Sequence, residues 1–535
     1  VLPVRRVRSG VEPRVAGVSR RDGHVTGCAS GSDRANRIVI VVPEVRVHAL
    51  NSAPLRASGD WVVYWMLAAR RPLYNFALQH AVQFAQRLQK PLLVLEDLRC
   101  THRWSSARTH RFVLDGMAEN AAHFAKTPVR YYPYVEPEVD ASRGFVERLA
   151  TSAAVVVTDE FPCSGLPQLT QELASRAGVR FDAVDGNGLL PLRAPGKAFA
   201  RAFDFRRYLW RVLPDHLDAA PRRDPLQRAK LLPCPALPRE IVERWPSATP
   251  DLLARRGAGL ASLPIDHHVA PVPLPGGFRA ARKRLDQFVS DSLERYADER
   301  NHPDADAASG LSPYLHFGHI STHEIFARIL ELEELTSSSL RARASGVDEP
   351  MWRMRPGSEA FVDQLVTWRE LSFNLCHQRP DDYDRFEALP SWARETLREH
   401  QADPRSHVYT FEQLQNAATS DPLWNAAQRE LVATGQMHNY LRMLWGKLVL
   451  GWTHYPEEAF SYLVELNNRY ALDGCDPNSY SGIGWCFGRY DRPWGPKRAC
   501  YGTVRYMTTA SAQRKLRLRQ YLSKWGEPSR QTSLL

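Results

Sequence analysis

Met437-His438-Asn439-Tyr440-Leu441-Arg442-Met443-Leu444-Trp445 is the stretch that decides how the second half of this chain is read, together with the Leu472-Asp473-Gly474-Cys475-Asp476 turn that follows it. Met437, Tyr440, Leu441, Leu444, Trp445, Leu448 and Trp452 recur at helical spacing, so one helix face carries two indoles and needs a large apolar partner. Arg442 is a fixed cation within that apolar run. A buried charge must be paired, and Asp473 is the candidate anion. Taken alone, an aromatic stripe of this kind reads as ordinary core packing.

Working outward, helical patterns run over 278–297, 321–335, 358–376, 391–400, 434–452 and 456–470, separated by Pro- and Asp-rich breaks. Residues 276–535 are therefore expected to form an all-helical domain. Upstream, 214–275 is proline-rich (Pro233, Pro235, Pro238, Pro246, Pro250, Pro264, Pro271, Pro273) and reads as a long interdomain linker with short helices.

The first half has a different period. Trp61-Val62-Val63-Tyr64-Trp65-Met66-Leu67 is a continuous apolar run of strand length. An amphipathic helix at 73–89, a strand at 92–95, a helix at 107–124 and strands at 129–134, 154–157 and 179–184 follow. Such alternation predicts an α/β domain over 45–213 with a doubly wound parallel sheet. No G-x-G-x-x-G follows the first strand, so a dinucleotide fingerprint is missing, and any ligand of this sheet is expected at the strand carboxyl ends. Residues 1–44, rich in Arg, Gly, Ser and Val without a sustained period, read as a disordered or mis-assigned N-terminal extension. The first methionine is Met66, within a predicted buried strand. Either an upstream start assignment or an Arg-rich, transit-like leader accounts for this.

At 535 residues the chain exceeds one hydrophobic core. Hydrophobic content of 44% with 24% charged residues belongs to a globular protein, not a tail or fibre. Lys plus Arg is 70 against 59 for Asp plus Glu, a formal charge of +11, which favours a polyanionic partner. The eight cysteines are scattered, with neither a CxxC pair nor a Cys/His cluster at zinc spacing, so reduced thiols and no metal site are expected. No apolar run reaches membrane-span length. The expected location is intracellular, cytoplasmic or nucleoid-associated, with organelle targeting by the Arg-rich N-terminus left open.

Ala308-Ser309-Gly310-Leu311-Ser312-Pro313-Tyr314-Leu315-His316-Phe317-Gly318-His319-Ile320-Ser321 is the most specific string. Small hydroxyl residues and a glycine before a helix suit a phosphate-bearing ligand, and alone would also suit a helix cap. With Tyr296, Arg300, Met437 to Trp445 and Asp473 to Asp476, it resembles the flavin-binding half of the photolyase/cryptochrome family. Leu466-Asn467-Asn468-Arg469-Tyr470-Ala471-Leu472-Asp473-Gly474-Cys475-Asp476-Pro477-Asn478 more specifically resembles class II cyclobutane pyrimidine dimer photolyases, and the likeness runs from about Val47 to the C-terminus.

That resemblance implies an all-helical FAD-binding C-terminal domain. FAD, active in its reduced form FADH−, would contact Tyr296, Ser309, Gly310, Leu311 and Ser312, with the Arg442–Asp473 ion pair against its ring system and Asn467 facing its N5. Trp445, Trp424 and Trp452 match an indole chain that carries electrons to photoexcited flavin. Trp368, Met443 and Trp485 match apolar groups that hold a flipped-out pyrimidine dimer, and Arg300, Arg492 and Trp494 match contacts to the lesion or the strands around it. Lys497, Arg498, Arg505 and the Arg514–Arg519 run are candidate phosphate contacts.

Two departures stand out. Gln364 replaces the family's usual glutamate, and Trp485–Trp494 is one residue shorter than the usual hairpin. A second, antenna chromophore in the α/β half is implied without an identity. The expected protein is a monomeric, light-driven lyase acting on UV-damaged DNA. The alternatives are a cryptochrome-like blue-light photoreceptor, expected to carry a long extension beyond Trp525, and a (6-4) photolyase, expected to show a histidine pair at the lesion face.

Overall fold

The apolar run from Trp61 forms a central strand. In the computed structural model, which describes residues 41–255, 257–343 and 352–527, six strands make one sheet: β1 (Val47–Ala49), β2 (Trp61–Met66), β3 (Leu92–Leu98), β4 (Arg130–Val135), β5 (Ala153–Glu160) and β6 (Phe181–Asp185). Their order is β1-β6-β5-β2-β3-β4. Tyr64 lies between Val94 of β3 and Val157 of β5, all parallel. The expected parallel sheet carries one further, unpredicted edge strand: β1 runs antiparallel to β6 with His48 opposite Ala183. Three residues carry too little alternation to be read as a strand from sequence.

Both faces of β2 are buried because helices cover both. Trp61, Val63 and Trp65 pack towards α3 (Phe145–Thr151) and α4 (Leu166–Arg176), while Val62, Tyr64 and Met66 pack towards α1 (Phe76–Leu88) and α2 (Ala107–Phe124). Beyond α5 (Ala202–Val212), the proline-rich segment is more than a spacer. It holds α6 (Arg239–Arg244) and α7 (Pro250–Leu253) and straps across the sheet, with Trp245 stacked on Phe145 at 5.0 Å and accepting the Tyr132 hydroxyl on its carbonyl at 2.6 Å.

Helices continue as α8 (Phe278–Asp291), α9 (Tyr296–Glu299), α10 (Ser312–His316), α11 (Thr322–Leu332), α12 (Ser337–Arg343), α13 (Pro356–Val362) and α14 (Arg369–Gln378). Then come α15 (Ser391–Glu399), α16 (Phe411–Gln415), α17 (Pro422–Thr434), α18 (Asn439–Gly451), α19 (Pro456–Tyr470), α20 (Pro477–Cys486), α21 (Thr509–Lys515) and α22 (Arg519–Trp525). The predicted helix over 434–452 begins later, at Asn439, because Thr434 closes a preceding helix, α17, that hydropathy did not show. Asp421 caps the N-terminus of α17, Pro422 occupies its first turn, and Gly435, at φ +70°, ends it, so α18 starts only after His438.

Arg108 on α2 ties the sheet half to the helices. Its guanidinium donates to the carbonyls of Leu431 (3.3 Å) and Val432 (2.6 Å) in α17 and of Tyr470 (2.6 Å) at the end of α19. One side chain thus satisfies carbonyls in the last turns of two helices. Cys100, Cys163, Cys234, Cys376, Cys475, Cys486 and Cys500 are all free and buried, and they are spread over both halves. No helix among the described residues is long and apolar enough to cross a membrane. Residues 1–40, including most of the predicted extension, lie outside the described residues.

Candidate functional site

α18 builds the site. Asn439, Arg442, Met443 and Gly446, at spacings of three and four, share one face that lines an inner cavity of about 550 Å³. The opposite face, with Leu441 and Leu444, enters the core. The predicted stripe is therefore split: its leucines are core, and its polar neighbours face a void. Gly446 allows α20 to approach closely, since a Cβ there would meet Cys486 Sγ at 2.6 Å.

Arg442 Nη2 donates to Asp473 Oδ1 at 3.0 Å, so the expected ion pair forms. It is not fully embedded, as the sequence reading supposed; both side chains remain partly open and border the cavity. Asn467 on α19 is buried on the same wall. Across it, Arg284 of α8 holds the 308–312 loop by donating to the carbonyls of Ser309 and Ala308, both at 2.7 Å. Tyr296, Ser309, Gly310 and Ser312 line this side. Leu311 does not; its side chain is core.

Asp476 joins the two walls. It caps α20 by accepting the Asn478 N–H and also meets His316 Nδ1 of α10 at 3.3 Å. Burial raises the Tyr296 hydroxyl to about 12, against a smaller opposing effect of Arg300, and lowers His438 at the cavity edge to about 4.

Gln364, Met443, Asn439 and Arg300 border both this cavity and an outer cleft of about 850 Å³. The cleft is walled by Trp368 and Trp485, whose ring centroids are 4.9 Å apart with planes inclined by 31°. Lys447, Arg505 and Lys515 also border it, as do Asp363 and Asp491. Burial raises the Asp491 carboxyl and lowers the Lys447 ammonium.

Arg492 and Trp494 lie outside both cavities. Trp485 and Cys486 are the last residues of α20, so the predicted hairpin over 485–494 is not one. The chain turns back later, where Trp494 N–H donates to the Thr503 carbonyl at 2.8 Å and Arg498 pairs with Gly502. Trp494 sits exposed between Arg492 and Arg505, each 5.2 Å from its ring, and so reaches the cleft only through Arg505. Among the other predicted phosphate contacts, Lys497 is paired with Glu399 at 2.9 Å and Arg517 with Glu299 at 3.0 Å.

Trp445 lies on the cavity wall, and behind it the indoles continue. Trp445 and Trp424 are stacked at 6.2 Å and 9°, and Trp424 meets Trp452 edge-on at 5.6 Å. Hydrogen bonds fix the rings, from Trp445 Nε1 to Gln428 Oε1 and from Trp424 Nε1 to the Trp445 carbonyl, both 3.0 Å. Tyr409 follows, 5.2 Å from Trp452.

Asn439, Lys447, Asp363, Glu430 and Tyr521 border the cavities without having been foreseen. Helical spacing would have found Asn439 from Arg442 and Lys447 from Met443; the other three depend on tertiary contacts. At the carboxyl ends of β5 and β6, where the open-sheet rule places a ligand, the crevice beside Asp159, Gly186 and Gly318 measures about 20 Å³, room for a water. No group of three or more His, Cys, Asp or Glu able to hold a metal occurs among the described residues.

The inner cavity lies within the roughly 300–1,000 Å³ range of pockets that bury small-molecule ligands. Its hydroxyls, backbone loop and arginines at one side, with an ion pair, amides and an indole at the other, fit a ligand with a phosphate end and a planar polar ring.

No family model matches the chain. It is 32% identical over 480 residues to a deoxyribodipyrimidine photo-lyase of Methanothermobacter thermautotrophicus, covering 90% of this chain and 97% of that one. It is also 32% identical to the Arabidopsis thaliana deoxyribodipyrimidine photo-lyase (88% and 90% covered) and 31% identical to that of Potorous tridactylus (87% and 81%). Among solved structures, a Synechocystis cryptochrome matches at TM-score 0.63 and 16% identity, covering 87% of this chain and 88% of that one. An Agrobacterium tumefaciens class III photolyase matches at 0.58 and 18%, covering 84% and 82%.

Proposed function

The chain belongs to the deoxyribodipyrimidine photo-lyases, lyases that act on damaged DNA, and we propose that within them it splits cyclobutane pyrimidine dimers by light-driven electron transfer from a bound, reduced FAD. The observation that carries this reading is the junction of the two voids. A cavity of dinucleotide character, bearing the Arg442–Asp473 pair and Trp445, shares Met443 and Gln364 as lining with a cleft walled by two indoles.

FAD would be held by Tyr296, the Ser309–Ser312 loop, Arg442, Asn467 and Asp473. The chemistry it supplies when bound and reduced is an electron to the dimer, returned after the ring opens. The chain's own work is positioning and electrostatics. Arg442 and Asp473 set a fixed field along the cavity wall. Asn467 offers a neutral amide that can donate or accept. Trp368 and Trp485 give apolar faces to an extruded dimer, which has already lost normal stacking and costs less to flip than an intact base. Gln364 offers hydrogen bonds at the boundary but no charge and no acid. Arg300, Arg505, Lys447 and Lys515 bring positive charge to the mouth, where a polyanionic duplex would lie. The indole series from Trp445 through Trp424 to Trp452 provides oxidisable groups in close contact, suited to restoring the reduced cofactor.

The test incubates photoreduced protein with dimer-containing duplex in blue light and in darkness, and counts dimers. Loss of dimers only in light is expected. Equal counts would exclude the reading even in a protein that retains flavin.

A further inference from the structure

The π-turn Asp363–Trp368 interrupts an otherwise continuous helix from Pro356 to Gln378. Residues five apart on an α-helix point roughly 140° away from one another and do not meet. Here they do, because Trp368 Nε1 donates to Asp363 Oδ2 at 3.0 Å across the turn. π-Turns concentrate at functional sites, and this one lies on the wall of the outer cleft, which both of its end residues border.

A third residue arrives from the other half of the molecule. Arg206, on α5, places Nη2 at 3.0 and 2.8 Å from the two oxygens of Asp363, and its guanidinium carbon lies 5.4 Å from the Trp368 ring centroid. The carboxylate thus takes hydrogen bonds from an indole and a guanidinium, and the guanidinium in turn lies against the indole. Two consequences follow. Trp368 loses the freedom to rotate in a solvent-open cleft. The Asp363 charge is also neutralised, where a bare carboxylate would repel an approaching phosphate backbone.

We propose that Asp363 and Arg206 are positioning residues for lesion recognition, locking Trp368 in its tilted stack on Trp485, 4.9 Å away and inclined by 31°, so that the cleft presents one pre-set aromatic wall. This rests on the reading that the outer cleft receives the dimer. A pair of indoles already in contact and held in place offers an apolar wall to the extruded lesion without paying ordering entropy on binding. A free Trp368 ring would have to be ordered by the ligand itself, and only an extruded lesion reaches this wall, so the pair contributes selectivity for damage above general DNA affinity.

The test measures Kd for dimer-containing and undamaged duplex, with flavin occupancy recorded for every variant. Asp363→Leu is expected to lower the ratio of the two affinities about tenfold through weaker lesion binding, the loss of a charge-assisted hydrogen bond. Asp363→Asn keeps an acceptor for the indole and should lose less than about threefold. Adding Asp363→Leu to Trp368→Ala should cost nothing further, because the carboxylate acts through the ring. Arg206→Gln carries the same comparison if Asp363→Leu does not accumulate folded, and should also lower the ratio. An unchanged ratio in the folded variants, an equal loss on both duplexes, or full additivity with Trp368→Ala would overturn the proposal. Wild-type protein that does not distinguish the duplexes would overturn the cleft reading, and this proposal with it; wild-type discrimination that survives Asp363→Leu would overturn only the positioning pair.

Discussion

Trp445 separates two roles that a single side chain can have. It is core by burial, at 2% exposure, yet it also forms part of the cavity wall and stacks on Trp424. Replacement by phenylalanine keeps an apolar ring but removes the readily oxidised indole. Trp445→Phe is therefore expected to slow photoreduction of oxidised flavin by at least about tenfold while chemically prereduced protein still repairs dimers, as time-resolved flavin absorbance and dimer counts would show. Unchanged photoreduction would remove the indole series from the mechanism. At this scale much of the site could be read from sequence: Arg442, Asp473, Asn467 and the tryptophans belong to strings with several fixed positions. Asp363 and Arg206 could not, because their meeting depends on a π-turn and on a helix 157 residues away.

At the scale of elements, hydropathy misread what hydrogen bonding explains. α17 escaped the periodic reading because Asn425 and Gln428 interrupt its apolar face, although both are buried, Gln428 to receive the Trp445 indole and Asn425 to bond Thr419. Its caps, Asp421-Pro422 and Gly435, were in plain sight. The strands of the sheet were easier, since burial on both faces leaves uninterrupted apolar runs. The contact between α10 and α20 also rests on one polar group. Burial works to raise the Asp476 carboxyl, but the hydrogen bond and charge of His316 and the charge of Arg369 outweigh it and hold the group below its ordinary 3.8. With the folded value below the unfolded one, the ion's contribution is present above the unfolded value and is lost as pH falls through the folded one. Asp476→Asn should cost about 1–3 kcal/mol at neutral pH in denaturant titrations, and its deficit relative to the parent should shrink below about pH 4. A deficit that stays constant into acid would show that the ionised form is not what matters.

Across the whole molecule, the α/β half and the helices form one unit in which Arg108 has an unusual share of the work. Burial lowers its guanidinium to about 10, and the carbonyls it serves belong to the helices that carry Trp424 and Asn467. Arg108→Met would fill the space but leave buried carbonyls in two helix ends without a donor, costing about 2–4 kcal/mol. The expected result is a lower Tm together with faster flavin loss; a lower Tm with unchanged flavin retention would confine the effect to the sheet. The thiols offer a way to watch this. Burial pushes Cys234 and Cys486 up to about 11 and Cys100 up to about 12, so in the folded protein they are neither reachable nor ionised. Each is silent until its own neighbourhood opens. Cys100 and Cys234 then report on the sheet half, and Cys475 and Cys486 on the helices around the cavity. The chain in this way carries its own set of clocks, and the order in which an alkylating reagent stops them would tell whether the two halves come apart together or in turn.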